Sequence, residues 1–503
     1  MTKKTLANLV LVLALLLSLG LGVANAAPPA QEEMVYTVKL GDNLWTLAEK
    51  YLGNGAAYWA IVFATNKKAQ EDPTFATIAN PSLIHPGWKF LIPSAEEAAA
   101  FMKARLGRQV TVLGVWGGDE RAAFEEAVAP FTKETGISMA FEGTRDLPAV
   151  LTTRVEAGNP PDIAILPNPG QMVEFAKAGK LVDLSTFLDM EQLEKDIGKS
   201  GIEMGSYKGT FYGLFFKAAY KSLVWYNPKA FEAAGYTVPT TWDELVALSD
   251  KIVADGNVPW CIGIESGAAS GWPATDWIED IMLRTAGPEV YDKWVAHEIP
   301  WTDPAVKRAW ELFGKIARTE EYVYGGTTGV LSINFGDSPA PMFDSPPGCY
   351  LHRQASFITG FFPEGVVAFE DYDFFPFPPI DPKYGTPALT AGDFIVMFND
   401  TPEARAFMEY LASPKPQEVW AKLGVGYISP NKRVDLALYP DDLIRKMAKM
   451  LVEAEVARFD ASDLMPAAVG SGSFWKGTLD YVSGVDLDTV LAAIEASAVE
   501  AYK

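Results

Sequence analysis

Residues 109–166 alternate short apolar strand patterns with amphipathic helical ones, and few folds accept that alternation. QVTVLGVWGG reads as a strand that runs into a Trp-Gly-Gly loop. Phe124, Val128 and Phe131 mark the buried stripe of the helix that follows. ISMAFEGT is a second strand, a helix covers about 147–157, and PDIAILP is a third strand. Successive strands with helices between them must lie parallel in one sheet, with the helices on its faces, so an α/β domain with a mostly parallel sheet is expected. In open sheets of this class ligands bind at the loops leaving the carboxyl ends of the strands. Here those loops carry Trp116 to Asp119, Arg145 in Thr144–Asp146, and Asn168 before Pro169-Gly170. Asp119 is equally suited to capping the helix that follows, and Arg145 to an ordinary surface position.

A chain of 503 residues exceeds one ordinary core, so two or three domains are expected. The formal charge of −22 repels nucleic acid and anionic lipid head groups and favours neutral or cationic ligands. At the N-terminus, Lys3 and Lys4 precede an apolar run from Leu9 to Leu21, and Ala24-Asn25-Ala26 supplies a small-x-small cleavage pattern. Residues 1–26 therefore read as a secretory signal peptide, with an uncleaved membrane anchor as the alternative. No cysteine follows the run, so the pattern lacks a lipid-anchor site. The protein is expected to be exported, to the periplasm or the cell wall.

The two cysteines, Cys261 and Cys349, both fall in the exported part. An even pair in an oxidising compartment is most simply a disulfide, two separate buried thiols being the alternative. Closing a loop of about 88 residues would stabilise the fold by ~4–5 kcal/mol in the chain-entropy view. The pair would tie the segment 345–357 to WCIGIESGAASGWPATDWIED, residues 260–280, a stretch whose glycines and serines suggest a flexible loop. That loop combines flat rings and carboxylates as a sugar site does: Trp272 and Trp277 can stack on the C–H face of a pyranose, and Glu265 and Asp276 can take its rim hydroxyls. Any one of these tryptophans could instead be core.

The stretch 34–94 has its own pattern: a strand at MVYTV, a Gly-Asp turn, two helices, and a closing strand at KFLIPS. It resembles a LysM module, the small α+β strand–helix–helix–strand unit that binds peptidoglycan and related N-acetylglucosamine glycans. The resemblance rests on Tyr36-Thr37-Val38, Gly41-Asp42-Asn43-Leu44, Asn66, Ile84, Pro86-Gly87 and Leu91-Ile92-Pro93. It implies glycan contacts at Gly41, Asp42, Asn43, Leu44, Ile84 and Pro86. Asn43 stands where Thr or Ser is usual, and the segment between Asn66 and Ile84 is long for the family, so a module that only spaces or docks the protein is the alternative. Residues 95–108, Ala-rich and charged, read as a helical linker.

A second resemblance covers 109–503. LVWYNPKAFEAAGYTVPTTWDELVALSDKI at 223–252, GNPPDIAI at 158–165 and AKLGVGYISPNKR at 421–433 are similar to the extracellular solute-binding proteins of carbohydrate ABC transporters. The segments 260–280 and 349–357 resemble the maltose and α-glucoside branch. The family implies a two-lobed α/β fold of the periplasmic-binding-protein type II, hinged between lobe I (about 109–221 and 386–428) and lobe II (about 222–385 and 429–503). It implies an oligosaccharide in the cleft, permease subunits as partners, no cofactor and no metal, and a monomer. On this mapping the ligand contacts are Trp116, Asp119, Arg145, Asn168, Glu265, Trp272, Asp276, Trp277, Asp337, Arg353, Asp393 and Phe394, with Tyr220 either a contact or a hinge residue.

An enzyme is the competing class. The three histidines, His85, His297 and His352, lack metal-ligand spacing, and the chain has no nucleophile elbow, Walker loop or H-E-x-x-H. A glycosidase needs only aromatics and two suitably spaced carboxylates, so it is the serious rival. A purely structural wall protein with an idle cleft is the third class, and receptors for polyamines and other small solutes share the two-lobed architecture.

Overall fold

The computed structural model describes residues 33–503 except 54, 79–80, 82–83, 106–108 and 425. The expected signal peptide, residues 1–26, lies outside the described residues. The chain divides into two compact units, one reaching residue 106 and including 134–136, the other formed by 107–133 and 137–503.

The smaller unit runs β1 (Met34–Thr37), α1 (Leu44–Leu52), α2 (Tyr58–Glu71), β2 (Lys89–Ile92) and α3 (Ala95–Arg105). β1 and β2 pair antiparallel, Met34 opposite Ile92, and the apolar sides of strands and helices meet in a core of Tyr36, Leu44, Leu47, Ile61, Phe90 and Ile92. Of the expected linker, residues 95–105 are helical, as the alanines dictate, but α3 is more than a free linker. Ser94 and Glu97 form a reciprocal capping box at its start, and Phe101 packs on Phe63 of α2 at 5.3 Å.

The larger unit has two lobes. In the first, β3 (Gln109–Gly114), α4 (Gly118–Thr135), β4 (Ser138–Gly143), α5 (Leu147–Glu156), β5 (Ile163–Leu166) and α6 (Pro169–Lys177) alternate as the apolar pattern requires. β3 lies parallel to β4 and β5. The rest of the sheet is mixed rather than parallel. β6 (Gly213–Tyr220) pairs antiparallel along nearly all of the long β10 (Ala388–Met397), whose other edge holds β5, antiparallel, and the short β11 (Ala457–Phe459), parallel. β10 and β11 return from the other lobe, so no adjacent helix dictates their direction.

The chain crosses directly from β6 into β7 (Leu223–Tyr226), which sits between β8 (Leu351–Arg353) and β9 (Asp373–Pro376) in a three-stranded antiparallel sheet. The second lobe packs around Trp260, Trp277, Trp294, Trp301 and Trp310, all fully buried. The stretch 260–280 is not a flexible loop. Residues 260–264 are buried and extended, a short turn covers Gly267–Ala269, and α7 (Trp272–Thr285) begins at the second tryptophan with Pro273 in its first turn. Later elements used below are α8 (Pro402–Ala412), the single turn α9 (Ala461–Leu464), a π-helical turn at Ala468–Phe474, and α10 (Trp475–Val482). Among the described residues no helix is long and apolar enough to cross a membrane.

Candidate ligand-binding site

Between the lobes lies a cavity with about 930 Å³ of empty space, its mouth included, a size that suits a small ligand. The strand pleat decides much of its lining. Lys217, Ala219 and Lys221, alternate residues along and just beyond β6, all face it, as do Ala391 and Asp393 on β10. Tyr220, between two of these positions, and Phe394, next to the last of them, point the other way. Tyr220 is therefore no cavity contact, and Phe394 stacks on Phe215 at 4.9 Å in the core.

At the end of β3, Trp116 reaches the cavity wall but is 1% exposed. Its ring meets Trp420 edge-on at 4.8 Å and Phe124 at 5.0 Å, and its Nε1 donates to Asp393 Oδ2 at 3.1 Å. A ring so enclosed forms wall and offers no open stacking face. Asp119 points into solvent, in the first turn of α4 and not at its cap; the next residue, Glu120, turns inward and pairs with Lys217. Burial pushes the Asp393 carboxyl up, and Lys217 opposes the shift. Arg145 lines the cavity and lays its guanidinium over the Phe335 ring at 5.1 Å. Asn168, buried at the start of α6, donates from Nδ2 to Asp463 Oδ1.

From the second lobe, Trp272 faces the cavity at the first residue of α7, edge-on to Phe335 at 5.1 Å, with the Lys221 ammonium 5.5 Å from its ring. The next turn of α7 is already interior, because that helix is buried on almost every side. Trp277 accordingly packs in the core against Trp260 at 5.0 Å and Phe377 at 5.6 Å. Asp276 lies beneath the cavity floor, its Oδ1 accepting from Lys221 Nζ at 2.7 Å. Burial pushes its carboxyl up to about 7 against the pull of Lys221.

Three further expected contacts lie outside the lining. Glu265 braces its turn, accepting from the Gly267 N–H at 2.6 Å and from Asn334 Nδ2 at 2.7 Å, which holds its carboxyl low. Asp337 is exposed and outside the lining, where Phe335, two residues earlier, takes its place. Arg353 is buried under the floor on β8, donating to Asp280 at 3.0 Å, with Asp276 3.6 Å away. Cys261 and Cys349 are joined in a disulfide.

The sequence reasoning missed Glu120, Lys217, Lys221, Phe335, Asp463 and Trp475. Alternation on β6 was an available signal for the two lysines. Nothing local marked Trp475, which the π-helical turn carries to the cavity and whose Nε1 has no hydrogen-bond partner among the described residues. Asp276, Glu279 and Asp460 hold carboxylate oxygens within 4.8 Å of one another, a grouping that suits a metal ion. The cation among them is the Lys221 ammonium, paired with both Asp276 and Asp460, so the arrangement needs none.

In the smaller unit, Asp42 accepts from the Tyr36 hydroxyl at 2.7 Å and the Lys39 N–H at 2.8 Å, and Asn43 caps α1 by accepting from the Thr46 N–H at 2.8 Å. Leu44 belongs to the core and Ile84 packs against it, while Gly41 and Pro86 are at the surface.

The family profile described as bacterial extracellular solute-binding protein matches residues 117–418. The chain belongs to this family. It is 52% identical over 390 residues to the osmoprotective compounds-binding protein GgtB of Synechocystis sp., covering 78% of this chain and 92% of that one. It is 44% identical over 397 residues to the alpha-glucosides-binding periplasmic protein AglE of Rhizobium meliloti, covering 77% and 86%. Among solved structures, a chitin oligosaccharide binding protein superposes with a TM-score of 0.68 at 20% identity, over 78% of this chain and 98% of that one. The raffinose complex of RafE does so with 0.64 at 20%, over 78% and 100%. Such identities speak for the fold alone: two α/β lobes of the periplasmic-binding-protein kind. As a member of this family the chain is a solute-binding protein and not an enzyme.

Proposed function

We propose that the chain is the substrate-binding component of an ABC importer and captures an α-glucoside, of the disaccharide to short oligosaccharide class, in its interlobe cavity. The observation that carries this reading is the lining itself, where Trp272, Trp475 and Phe335 offer ring surface beside the polar groups of Asn168, Asp393 and Asp463. Rings bury the C–H face of a sugar with little rotamer entropy lost, and the polar groups take its hydroxyls. The likeness to AglE, an alpha-glucosides-binding protein, supports an α-glucosidic ligand, and that to GgtB extends the candidates to osmoprotective compounds. A sugar touching both lobes favours the closed state over the open one, and the closed form is what a permease would read.

The smaller unit is proposed to be a LysM module that retains the exported receptor at peptidoglycan, a reading supported by its strand–helix–helix–strand order and by the Gly41–Leu44 turn. Undiminished binding to isolated peptidoglycan after deletion of residues 34–94 would remove that part.

The first experiment is a tryptophan-fluorescence titration of the mature protein with a panel of α- and β-linked oligosaccharides, with product analysis of the same samples. Saturation by α-glucosides without cleavage is the expected result. Cleavage products, or silence with every sugar, would overturn it.

A further inference from the structure

The floor of the cavity contains more buried carboxyl groups than buried cations. Asp276, Glu279 and Asp280 of α7, Asp460 before α9 and Asp463 within it are each more than nine-tenths buried. The cations among them are Lys221, Arg284 and Arg353, also buried. Two carboxyls are left over. An unpaired buried charge is costly enough that the group takes up a proton instead.

Geometry says which two. Asp280 is held by both arginines, and Asp276 by Lys221 with Arg353 nearby. Asp460 pairs with Lys221 and accepts from the Ser462 hydroxyl and the Asp463 N–H. Among the described residues Glu279 and Asp463 pair with no cation. Glu279 spends both oxygens on the Ala461 and Ser462 N–H groups at 3.1 and 3.0 Å, away from the ligand. Asp463 accepts from Asn168 through Oδ1, while its Oδ2 has no hydrogen-bond partner among the described residues, and the side chain lines the cavity.

Given the sugar-binding reading above, we propose that Asp463 faces the ligand as a neutral carboxylic acid whose Oδ2–H donates to an ether or hydroxyl oxygen of the bound glycoside. Most of the charged groups around it are acidic, and Lys217, which lines the same cavity from β6, is engaged by Glu120. Asp460 on its own segment, Asp276 and Glu279 on α7 and Asp393 on β10 are acidic. Lys221 is engaged by Asp276 and Asp460. Asn168 on α6 is neutral, Glu174 of α6 accepts from the Ala467 N–H, and Tyr291 donates its hydroxyl to the Phe459 carbonyl. Burial first, then Asp460, lifts the Asp463 carboxyl well above the usual carboxylate range, with Lys221 opposing. A raised carboxyl is protonated below its folded-state pKa, so the donor is present at low pH and lost as pH rises through that value.

Two measurements test this. Infrared difference spectra of wild-type protein minus Asp463→Asn, without ligand at pH 6, are expected to show a protonated-carboxyl C=O band that the variant lacks. Fluorescence titrations with trehalose and sucrose between pH 5 and 9 are expected to show wild-type affinity falling by about tenfold or more as pH rises. Asp463→Asn, which keeps an N–H donor there, should bind with little pH dependence, and Asp463→Ala should bind about tenfold more weakly at low pH. Absence of the band overturns the proton whatever the sugar does. A band with equal affinities for all three proteins overturns the contact. If neither disaccharide binds wild type, the sugar reading fails and the donor loses its recipient, while the band still decides the protonation state.

Discussion

Lys221 concentrates the electrostatics of the site in one side chain. It stands at the crossing between the lobes, faces the ring of Trp272, and neutralises Asp276 and Asp460 beneath the floor. Replacing it by methionine would keep most of the volume and strip both carboxylates of their main cation. We expect Lys221→Met to lower unfolding stability by about 3–5 kcal/mol, read from urea denaturation at pH 7. Trp272→Ala should act differently, weakening sugar binding by about tenfold or more with a small change in unfolding midpoint. Trp277→Ala is its counterpart, costing about 3–5 kcal/mol of stability through lost core packing. A Trp277→Ala protein as stable as wild type would contradict its placement in the core.

Glu409 on α8 is a titration probe remote from the cavity. Its Oε1 is buried without a hydrogen-bond partner among the described residues, and burial pushes the carboxyl up to about 8. Because the folded-state pKa lies above the unfolded one, its neutral form contributes stability at low pH that is lost as pH rises from about 4.5 through 8. Urea midpoints of wild type should therefore decline between pH 5 and 9 more steeply than those of Glu409→Gln. Parallel declines would rule this out.

At the scale of elements, the start of α7 is the sensitive joint. Gly271 precedes it with φ of 107°, and a Cβ there would collide with the Trp475 carbonyl oxygen. Gly271→Ala is expected to cost about 1–3 kcal/mol and to weaken sugar binding as well, since it would separate the two tryptophans that line the same wall. A variant that binds normally would show that this junction tolerates movement. The disulfide joins the strand-like segment before this turn to the residues leading into β8. Replacing both cysteines by serine should lower stability by about 2–5 kcal/mol, measured by thermal or urea unfolding.

At the scale of the whole molecule, the two compact units lead to a separable prediction. A protein spanning residues 107–503 should fold and bind sugar with the affinity of the full chain, because every residue lining the interlobe cavity lies within that unit. Isothermal titration of both proteins with the same sugar checks it, and a large loss in the shorter protein would implicate the N-terminal unit in the site.

The sequence alone was enough for the first elements of the large unit and for the family. The β3–α4–β4–α5–β5 run follows from local apolar periodicity, and periodicity is a property of neighbours in the chain. The same logic located Trp116, Arg145 and Asn168 at strand ends, whereas Trp272 was marked by the rings and carboxylates of its own segment and Asp393 by the family resemblance. Other assignments required depth, which neighbours do not encode. Trp272 and Trp277 lie five residues apart on one helix, yet one faces the cavity and the other the core, because helices and strands from distant parts of the chain bury all but the first turn of α7. The pairing of Lys221 with Asp276 and Asp460 spans 55 and 239 residues. The surplus of carboxyls around Asp463 exists only once those segments meet out of water. The chain's local pattern thus determined which elements form, whereas tertiary burial decided which charges are paired and which are left with a proton.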